Sequence, residues 1–199
     1  MNSSKEKMSK KTVIGITGGL ATGKTTVAEE FRAKGAVKLD ADAIAHKLIE
    51  ANGIKERIVG LFGSDILEND GINRKKLAGK VFSDKGKLKS LCEILHPLII
   101  REIKEQVELT REKVIVIDAP LLIEAGLQEY VDAVIVVTAG YKTQIQRAVD
   151  RGISANEAEK IIANQMSLSE KVKFADYIID GEEDINKVKE GVNKIWQGM

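Results

Sequence analysis

A lysine and a threonine directly behind a run of glycines form the residue group with the clearest chemical potential in this sequence. The stretch GGLATGKT, residues 18–25, fits the pattern G-x-x-x-x-G-K-[ST] through Gly18, Gly23, Lys24 and Thr25. It follows an apolar run typical of a strand and precedes apolar residues at helical spacing, which is the context that this pattern requires. In such a loop, backbone N–H groups surround phosphate oxygens, the helix N-terminus adds partial positive charge, and the lysine reaches the outer phosphates. The stretch therefore predicts a loop that binds a nucleoside triphosphate.

The predicted triphosphate contacts cover the whole loop and the first turn of the following helix. They comprise Gly18, Gly19, Leu20, Ala21, Thr22, Gly23, Lys24, Thr25 and Thr26. The hydroxyl of Thr25 is expected to ligate Mg²⁺ beside the phosphates. The alternative, a glycine-rich turn with an exposed lysine, is disfavoured by the strand before the loop and the helix after it.

Three aspartates follow predicted strands and could contribute to the same site. Asp40 and Asp42 come after the second strand, where a doubly wound sheet opens its binding crevice. They could orient an attacking hydroxyl or the waters of a metal ion, although Asp42 fits the N-cap of the helix AIAHKLIE equally well. Asp118 ends another apolar strand and resembles a carboxylate that acts on Mg²⁺ through water; a plain turn residue is the alternative.

Two arginines four residues apart lie in a predicted helix near the C-terminal third of the chain. Arg147 and Arg151 share one helical face because of this spacing. On a mobile helical segment they could reach the transferring phosphoryl group and offset its charge. The alternative is a solvated face on which they pair with Asp150 or Glu157.

Composition and charge exclude several classes of protein. With 199 residues and 43% hydrophobic content, the chain is long enough for one buried core with an inserted lobe. Because 31 basic residues face 30 acidic ones, net charge gives no argument for a nucleic-acid or membrane partner, and we expect neither. The polar start MNSSKEKMSKK is interpreted as a frayed tail of a cytoplasmic protein. The single cysteine, Cys92, excludes an internal disulfide and is predicted to pack in a helix.

The elements that must position these residues alternate between strands and helices. Five short apolar runs predict parallel strands covered on both faces: 12–17, 36–39, 114–118, 133–137 and 177–180. Helical patterns between them favour an α/β sheet with right-handed crossovers. Residues 41–112 contain no convincing strand and are predicted to form a helical lobe. A second helical stretch spans 141–168, with Ser154 as an N-cap and Glu157 three residues later.

The glycine-rich loop by itself indicates a superfamily of nucleotide-binding proteins but does not indicate which reaction this protein catalyses. A GTPase would need an N-K-x-D motif after a later strand, and AVIVVTAGYKTQ contains none. Motor and transporter ATPases are usually larger. A short chain with two helical insertions instead favours a small-molecule kinase, in which one lobe binds the acceptor and the other closes over ATP.

A series of sequence blocks resembles the dephospho-coenzyme A kinase family. In order, they are GITGGLATGKTTVA, KLDADAIAHKL, GINRKKLAGKVF, ILHPLI, VIDAPLLIEAGL, TQIQRAVDRGIS, ANQMS and FADYIID, from about residue 12 to 181. The resemblance implies transfer of the γ-phosphate of ATP, with magnesium, to the ribose 3′-hydroxyl of dephospho-coenzyme A. Two departures occur: Leu20-Ala21-Thr22 stands where the family commonly has Ile-Gly-Ser, and IIDGEE replaces a usual Asp-Asn ending.

The resemblance also implies an architecture and its divisions. We expect an α/β, P-loop NTPase-type three-layer sandwich with a mostly parallel five-stranded sheet. Its nucleotide-binding core would comprise 12–40, 113–140 and 169–199, with an acceptor-binding helical lobe at 41–112 and a helical lid at 141–168. The oligomeric state is left open.

The site residues carried over from the family fall into four groups. Asp42, Lys24 and Arg147 are expected to be catalytic, Arg151 to bind the nucleotide, and Thr25 and Asp118 to hold the metal. The expected acceptor contacts are Thr17, Asp40, Asp42, Arg74, His96, Arg101, Leu121 and Glu124.

Several of these residues could instead have a purely structural role without contacting the acceptor. Thr17 could serve merely to form a hydrogen bond within the turn that follows its strand. Arg74 and Arg101 could be solvent-exposed surface arginines. His96 could be a packing residue or a helix cap, since it precedes a proline that can lie in the first turn of the next helix. The role of Gln165 is open.

Two other functions stay open from the residues themselves. The first is another small-acceptor kinase, such as a nucleoside or nucleotide kinase. The second is a nucleotide-dependent regulatory protein without turnover, which the Asp40/Asp42 pair and the two arginines disfavour because a passive binder needs neither.

Overall fold

The structure is a computed structural model that describes residues 11–82 and 84–199. The predicted N-terminal tail therefore lies almost wholly outside the described residues. The described residues form seven strands: β1 Thr12–Gly18, β2 Val37–Asp40, β3 Leu67–Glu68, β4 Gly71–Ile72, β5 Val114–Asp118, β6 Ala133–Thr138 and β7 Tyr177–Asp180. The helices are α1 Lys24–Ala33, α2 Ala41–Glu50, α3 Ile54–Phe62, α4 Arg74–Phe82, α5 Lys85–Leu109, α6 Tyr141–Asp150, α7 Ala155–Ala163, α8 Leu168–Lys171 and α9 Ile185–Gln197.

The main sheet has five strands in the order β2-β5-β1-β6-β7, and every pair in it is parallel. Alternate residues of the strands enter opposite cores because side chains of a strand alternate between its faces. On one face, Val13 belongs to a core shared with Ile44 of α2 and Ile103 of α5. On the other, Ile14 belongs to a core shared with α1 and α9, where Phe31 and Trp196 lie in ring contact. This architecture confirms the predicted α/β fold with a parallel five-stranded sheet.

The segment 41–112 has a hydrophobic core of its own. Buried residues from α2, α3, α4 and α5 form this core, among them Ile49, Ile58, Leu77 and Leu95. The domain limits given above stay a prediction, but a separate core is what an inserted helical lobe requires. Among the residues described, no helix is both long and apolar enough to cross a membrane.

A short hairpin corrects the expectation that residues 41–112 contain no strand. β3 and β4 pair antiparallel, with Leu67 opposite Ile72. The two turn residues, Asn69 and Asp70, have φ values of 49° and 62°. Positive φ at both central positions is typical of a type I′ turn, which Asn and Asp tolerate better than most residues. Strands of two residues are too short to show an alternating pattern in the sequence.

The helix start predicted at Pro97 is wrong, whereas the one predicted at Ser154 is confirmed. Pro97 was expected in the first turn of a new helix but lies inside α5, which continues from Lys85 to Leu109. Packing of α5 against α2 and the sheet outweighs the loss of one helical hydrogen bond at the proline. The predicted N-cap Ser154 is confirmed, since its side chain accepts a hydrogen bond from the Glu157 N–H and begins α7.

Candidate active site

The carboxyl ends of three adjacent strands bring the predicted chemical groups together. The glycine-rich loop follows β1, Asp40 ends β2, and Asp118 ends β5. In the register of the sheet, Asp40 lies beside Asp118, and Asp118 lies beside Ile16 of β1. Parallel strands open their binding crevice at this edge. The sheet register alone therefore places two carboxylates next to the start of the loop.

The loop between β1 and α1 has the backbone conformation that its glycines permit. Gly23 directly precedes α1 with φ of 103°, a left-handed conformation that L side chains rarely adopt. Because glycine offers no capping side chain, the first N–H groups of α1 remain available to an anion. Ala21 has φ of 54°, so the alanine in the family's usual glycine position is tolerated in the left-handed region. The Thr22 hydroxyl donates to Gly19 O at 3.1 Å and braces the loop.

Lys24 lies at the centre of a group of mutually interacting charges. Its side chain is half-buried, and its Nζ donates to Gly19 O at 3.4 Å. Burial lowers the pKa of Lys24, whereas the negative charges of Asp118 and Asp42 raise it. These opposing influences mean that the lysine has lost water but lies near two carboxylates.

The pKa values of Asp42 and Asp118 are both raised above the ordinary range of aspartate, with loss of hydration as the main cause. For Asp42, which faces the cleft, loss of hydration and the neighbouring Asp40 raise the pKa, while Lys24 opposes them. For Asp118, burial raises the pKa, while Lys24 and Lys38 lower it. The Nζ of Lys38 lies 3.7 Å from Asp118 Oδ2. A carboxylate with a raised pKa has a stronger affinity for a proton, as a general base requires.

The structure settles which aspartate caps α2. Asp40 is the N-cap, because its Oδ1 accepts a hydrogen bond from the Ala43 N–H at 2.9 Å. The alternative in which Asp42 caps this helix is therefore wrong. Asp42 lies in the first turn, where a carboxylate interacts favourably with the helix dipole, and its oxygens are left for the cleft.

The predicted metal ligands have the chemistry that Mg²⁺ prefers. Within residues 11–82 and 84–199, no three His, Cys, Asp or Glu side chains are grouped so as to hold a metal by themselves. Mg²⁺, however, usually takes one or two protein oxygens and completes its shell with water and substrate phosphates. The Asp118 carboxylate and the Thr25 hydroxyl at the start of α1 are such oxygens, so these residues fit the ion.

An apolar cavity of about 340 Å³ opens beside Asp42, a size suited to a small molecule. We call it the apolar cavity; it is lined by α2, α4, α5 and the chain after β5, mostly with Leu, Ile, Val and Ala side chains. Its polar lining comes from Asp42, His46, Arg74 and His96. The structure thus brings four of the predicted acceptor contacts into one cavity: Asp42, Arg74, His96 and Leu121.

His46 is a cavity residue that the sequence analysis missed. Its Nδ1 lies 2.9 Å from an Arg74 guanidinium nitrogen, and in this contact the arginine is the donor. The signal was its position four residues after Asp42, which places both on one face of α2. His96 is half-buried, and burial lowers its pKa while the charge of Glu124 opposes this.

Two further residues differ from their predicted surroundings. Cys92 was expected to be buried by packing in a helix; it does lie in α5, but it is half-buried and lines the apolar cavity, and burial raises the pKa of its thiol. Arg101 is exposed, lies 3.9 Å from Glu105 on the same helix, and is not among the residues that line the cavity. Its contact with an acceptor diphosphate stays a prediction.

A second cavity, of about 370 Å³, lies between the glycine-rich loop, α6 and the chain after β7. We call it the arginine cavity because Arg147 and Arg151 both line it. Arg147 donates to Gly181 O at 2.8 Å and to Ala21 O at 3.4 Å. In this structure its guanidinium therefore binds two backbone carbonyls, one of which belongs to the glycine-rich loop.

The chain after β7 explains one of the departures from the family pattern. A Cβ at Gly181 would lie only 1.9 Å from Thr22 O, so this position has no room for the side chain of an asparagine. The next residue, Glu182, accepts hydrogen bonds from the Gly140 N–H at 2.9 Å and from the Thr143 hydroxyl. These bonds lower the pKa of Glu182 and fix the start of α6, a role that the sequence did not reveal.

Two predicted acceptor contacts are engaged within the protein. Thr17 is fully buried and donates to Pro120 O at 3.0 Å, which matches the alternative in which it satisfies the turn. The Glu124 carboxylate accepts from the Met166 N–H at 3.0 Å and contacts Lys171 at 2.9 Å. Direct contact of either residue with an acceptor stays a prediction.

Gln165, whose role was open, contacts the glycine-rich loop. Its side-chain oxygen accepts a hydrogen bond from the Leu20 N–H at 3.2 Å. The residue therefore ties the end of the second helical stretch to the predicted phosphate site.

Comparison with known proteins gives one consistent result. A family model described as dephospho-CoA kinase matches residues 12–187. A dephospho-CoA kinase from Fusobacterium nucleatum is 40% identical over 184 residues, which cover 92% of this chain and 95% of the relative. A dephospho-CoA kinase structure from Campylobacter jejuni has a TM-score of 0.68 at 29% identity, covering 93% of this chain and 95% of that one. A crystal structure from Thermus thermophilus reaches a TM-score of 0.82 at 28% identity, covering 96% and 98%.

The tight contact at Gly181 generates a stability prediction. Gly181→Ala must displace the glycine-rich loop, because its new Cβ would collide with Thr22 O. We expect the free energy of unfolding to fall by about 2 kcal/mol or more, in the range of overpacking and backbone strain. The matched control is Gly60→Ala, a helical glycine with no atom within 4 Å of the new Cβ, which should be neutral or stabilise by up to about 1 kcal/mol. Urea unfolding measures both, and equal effects of the two substitutions would contradict the packing argument.

Proposed function

Because the chain belongs to the dephospho-CoA kinase family, we propose that ATP binds on the glycine-rich loop and that dephospho-coenzyme A occupies the apolar cavity. The enzyme phosphorylates dephospho-coenzyme A to coenzyme A, the last step of coenzyme A biosynthesis, and as a P-loop kinase it uses ATP. What is proposed here is the assignment of its residues to the steps of that reaction. The single observation that supports it best is the position of Asp42, which lines the apolar cavity and lies within electrostatic reach of Lys24.

Asp42 is proposed as the group that orients the acceptor and takes its proton. The oxygen of the ribose 3′-hydroxyl forms a bond to the γ-phosphorus, the bond from that phosphorus to the oxygen of the leaving ADP breaks, and the hydroxyl proton passes to the Asp42 carboxylate. Phosphoryl transfer has a loose transition state, so alignment and late proton acceptance are the main tasks of such a residue. Loss of hydration and the charge of Asp40 raise the pKa of Asp42, which favours proton acceptance.

The lining of the apolar cavity suits an acceptor that combines anionic and apolar parts. Arg74, held by His46, offers a guanidinium to the diphosphate, and a guanidinium can bind phosphate oxygens with two parallel hydrogen bonds. The remaining wall is largely apolar and suits the less polar portion of the acceptor. Leu121 and His96 lie in the same wall and are proposed as further contacts.

The nucleotide side uses the loop, Lys24 and the two arginines. Lys24 and the N-terminus of α1 bind the phosphates, and Arg151 lies close enough to Lys24 for its charge to lower the pKa of that lysine. The catalytic role proposed for Arg147 requires its guanidinium to exchange Gly181 O and Ala21 O for phosphate oxygens. That exchange belongs to the closed state of the proposed lid, residues 141–168.

Magnesium use and a cytoplasmic location belong to the same proposal. Thr25 and Asp118 would hold the ion, and bound there it would offset negative charge on the phosphates. Lys38 contacts Asp118 from the side of β2, and its charge favours the ionised carboxylate against the effect of burial.

The acceptor assignment is tested by measuring ADP release with different acceptors. We expect ADP release to match formation of coenzyme A when dephospho-coenzyme A is present, to stay at background with adenosine, with AMP or without acceptor, and to stop when EDTA removes magnesium. Turnover of AMP or adenosine in place of dephospho-coenzyme A would overturn the assignment of the cavity. Undiminished turnover in EDTA would overturn the metal proposal.

The role of Asp42 generates a second, independent test. Asp42→Asn keeps the size of the side chain and removes the proton acceptor, so kcat should fall by roughly 10² to 10⁴, the range of general acid–base catalysis. ATP affinity and the melting temperature should stay close to wild type. The matched control is Asp40→Asn, which preserves the cap of α2 because an asparagine oxygen also accepts from an N–H. If Asp42→Asn keeps most of its turnover while Asp40→Asn loses it, the two roles are reversed.

A further inference from the structure

Lys171 is a fully buried lysine for which the reaction described above has no use. It ends α8, and none of its side chain is exposed. Burying an ammonium group is costly unless that group is paired and hydrogen-bonded, and lysine is rarely buried completely. A lysine in such a place therefore needs partners that compensate for the lost hydration.

The partners of Lys171 come from two different parts of the site. Its Nζ donates to Pro120 O at 2.6 Å, contacts the Glu124 carboxylate at 2.9 Å, and lies 3.4 Å from Thr17 Oγ1. A lysine ammonium has three donors, and these contacts account for all three. The Lys171 ammonium thus joins the chain after β5 to the last residues of β1.

The two joined regions serve the two substrates. Thr17 immediately precedes Gly18, where the glycine-rich loop starts. Pro120 and Leu121 line the apolar cavity, on the other side of the reaction. Because all three contacts end on one buried nitrogen, the cavity wall and the start of the loop cannot shift independently while the contacts hold.

The segment before Lys171 is itself fixed to both regions. We call residues 165–171 the connecting segment. At its start, Gln165 accepts from the Leu20 N–H of the loop, and the Met166 N–H donates to Glu124. A capping box formed by Ser167 and its partner three residues later then begins α8, and Lys171 at the end of this helix is directed into the interior. The position of the ammonium is therefore determined by backbone and side-chain bonds of the segment that carries it.

We propose that Lys171 is a positioning residue for phosphoryl transfer, which sets the acceptor-cavity wall at residues 120–124 in register with the glycine-rich loop. This inference rests on the proposed function, since it takes the apolar cavity as the acceptor site. Without Lys171, Pro120 O and the Glu124 carboxylate lose a charged donor in a poorly hydrated place, and the wall moves away from its productive position. Acceptor binding should suffer more than ATP binding, because the loop keeps its other contacts.

The test compares Lys171→Met with Lys173→Met. Methionine keeps the length and most of the volume of the side chain but removes the ammonium. Lys173 is exposed and lies two residues further along, so its replacement controls for general loss of a lysine in this turn. We expect Lys171→Met to raise the KM for dephospho-coenzyme A by about 10-fold or more, the effect of losing a charged hydrogen bond. The KM for ATP should change by less than about 3-fold, and Lys173→Met should match wild type. Circular dichroism fixes a temperature at which all variants are folded.

A lysine that only stabilises the fold would give a different result. Lys171→Met would then lower the melting temperature and leave both KM values unchanged at the lower temperature, and this outcome overturns the inference. An equal rise of both KM values overturns it as well. If Lys171→Met does not fold, the double substitution Lys171→Met/Glu124→Gln is compared with Glu124→Gln alone, so that any acceptor contact of Glu124 is lost in both. The pair strands no buried charge, and the introduced amide oxygen can still accept from the Met166 N–H. The expected split between the two KM values is the same.

Arg74→Ala separates failure of this inference from failure of the proposed function. Arg74 lines the apolar cavity, and its hydrogen bond in the described structure goes to His46 of α2, away from the connecting segment. If Arg74→Ala raises the KM for dephospho-coenzyme A and Lys171→Met does not, the acceptor site stands and the role of Lys171 is overturned. If Arg74→Ala leaves that KM unchanged, the acceptor does not use this cavity, and the inference fails together with the proposed function.

Discussion

A half-buried lysine among aspartates, at the edge where parallel strands end, is the interaction on which the site depends. Burial lowers the pKa of Lys24 while the charges of Asp118 and Asp42 raise it, and the charge of Lys24 in turn opposes the raised pKa of each aspartate. Opposite charges near one another each favour the charged form of the other. The parallel register makes the arrangement possible, because it places the carboxyl ends of β1, β2 and β5 side by side at one edge of the sheet. The register of the strands thereby holds these charged groups at the phosphate-binding end of the site.

The surrounding elements extend this centre in two directions. Towards the helical lobe, α2 carries Asp42 and His46 on one face, so a single helix links the charge cluster to the apolar cavity. Towards the chain after β7, Arg147 joins the glycine-rich loop to Gly181. The apolar cavity is lined by Asp42 and the arginine cavity by Gly23, so each cavity contacts a residue next to the predicted phosphate site, as transfer between two bound substrates requires.

The strands could be predicted because short stretches of the sequence indicate them directly. The remaining features depend on contacts between residues far apart in the chain, which the sequence does not show. The bounds of the five parallel strands are confirmed to within one residue. The expected cover on both faces holds for β1, β5 and β6 but is wrong for the edge strand β7, where Tyr177 and Ile178 are exposed. Asp40 and Asp42 are both good N-caps by residue type, and only the true start of α2 decides between them. Lys171 and Glu182 look like surface residues in the sequence, because their partners come from segments far away in the chain. The glycine-rich loop could be predicted because phosphate binding requires glycines, a lysine and a threonine at this fixed spacing.

The most direct test of this account is the titration of the Asp42 carboxyl by ¹³C NMR in the ligand-free protein, with the signal assigned by its loss in Asp42→Asn. The account predicts a pKa above the ordinary range of aspartate, because lost hydration and Asp40 both favour the neutral form. Replacing Asp40 with asparagine removes a negative neighbour and should lower the pKa. Replacing Lys24 with methionine removes a positive neighbour and should raise it further. An ordinary pKa that responds to neither substitution would show that Asp42 is not coupled to the lysine of the loop, and would contradict the central claim.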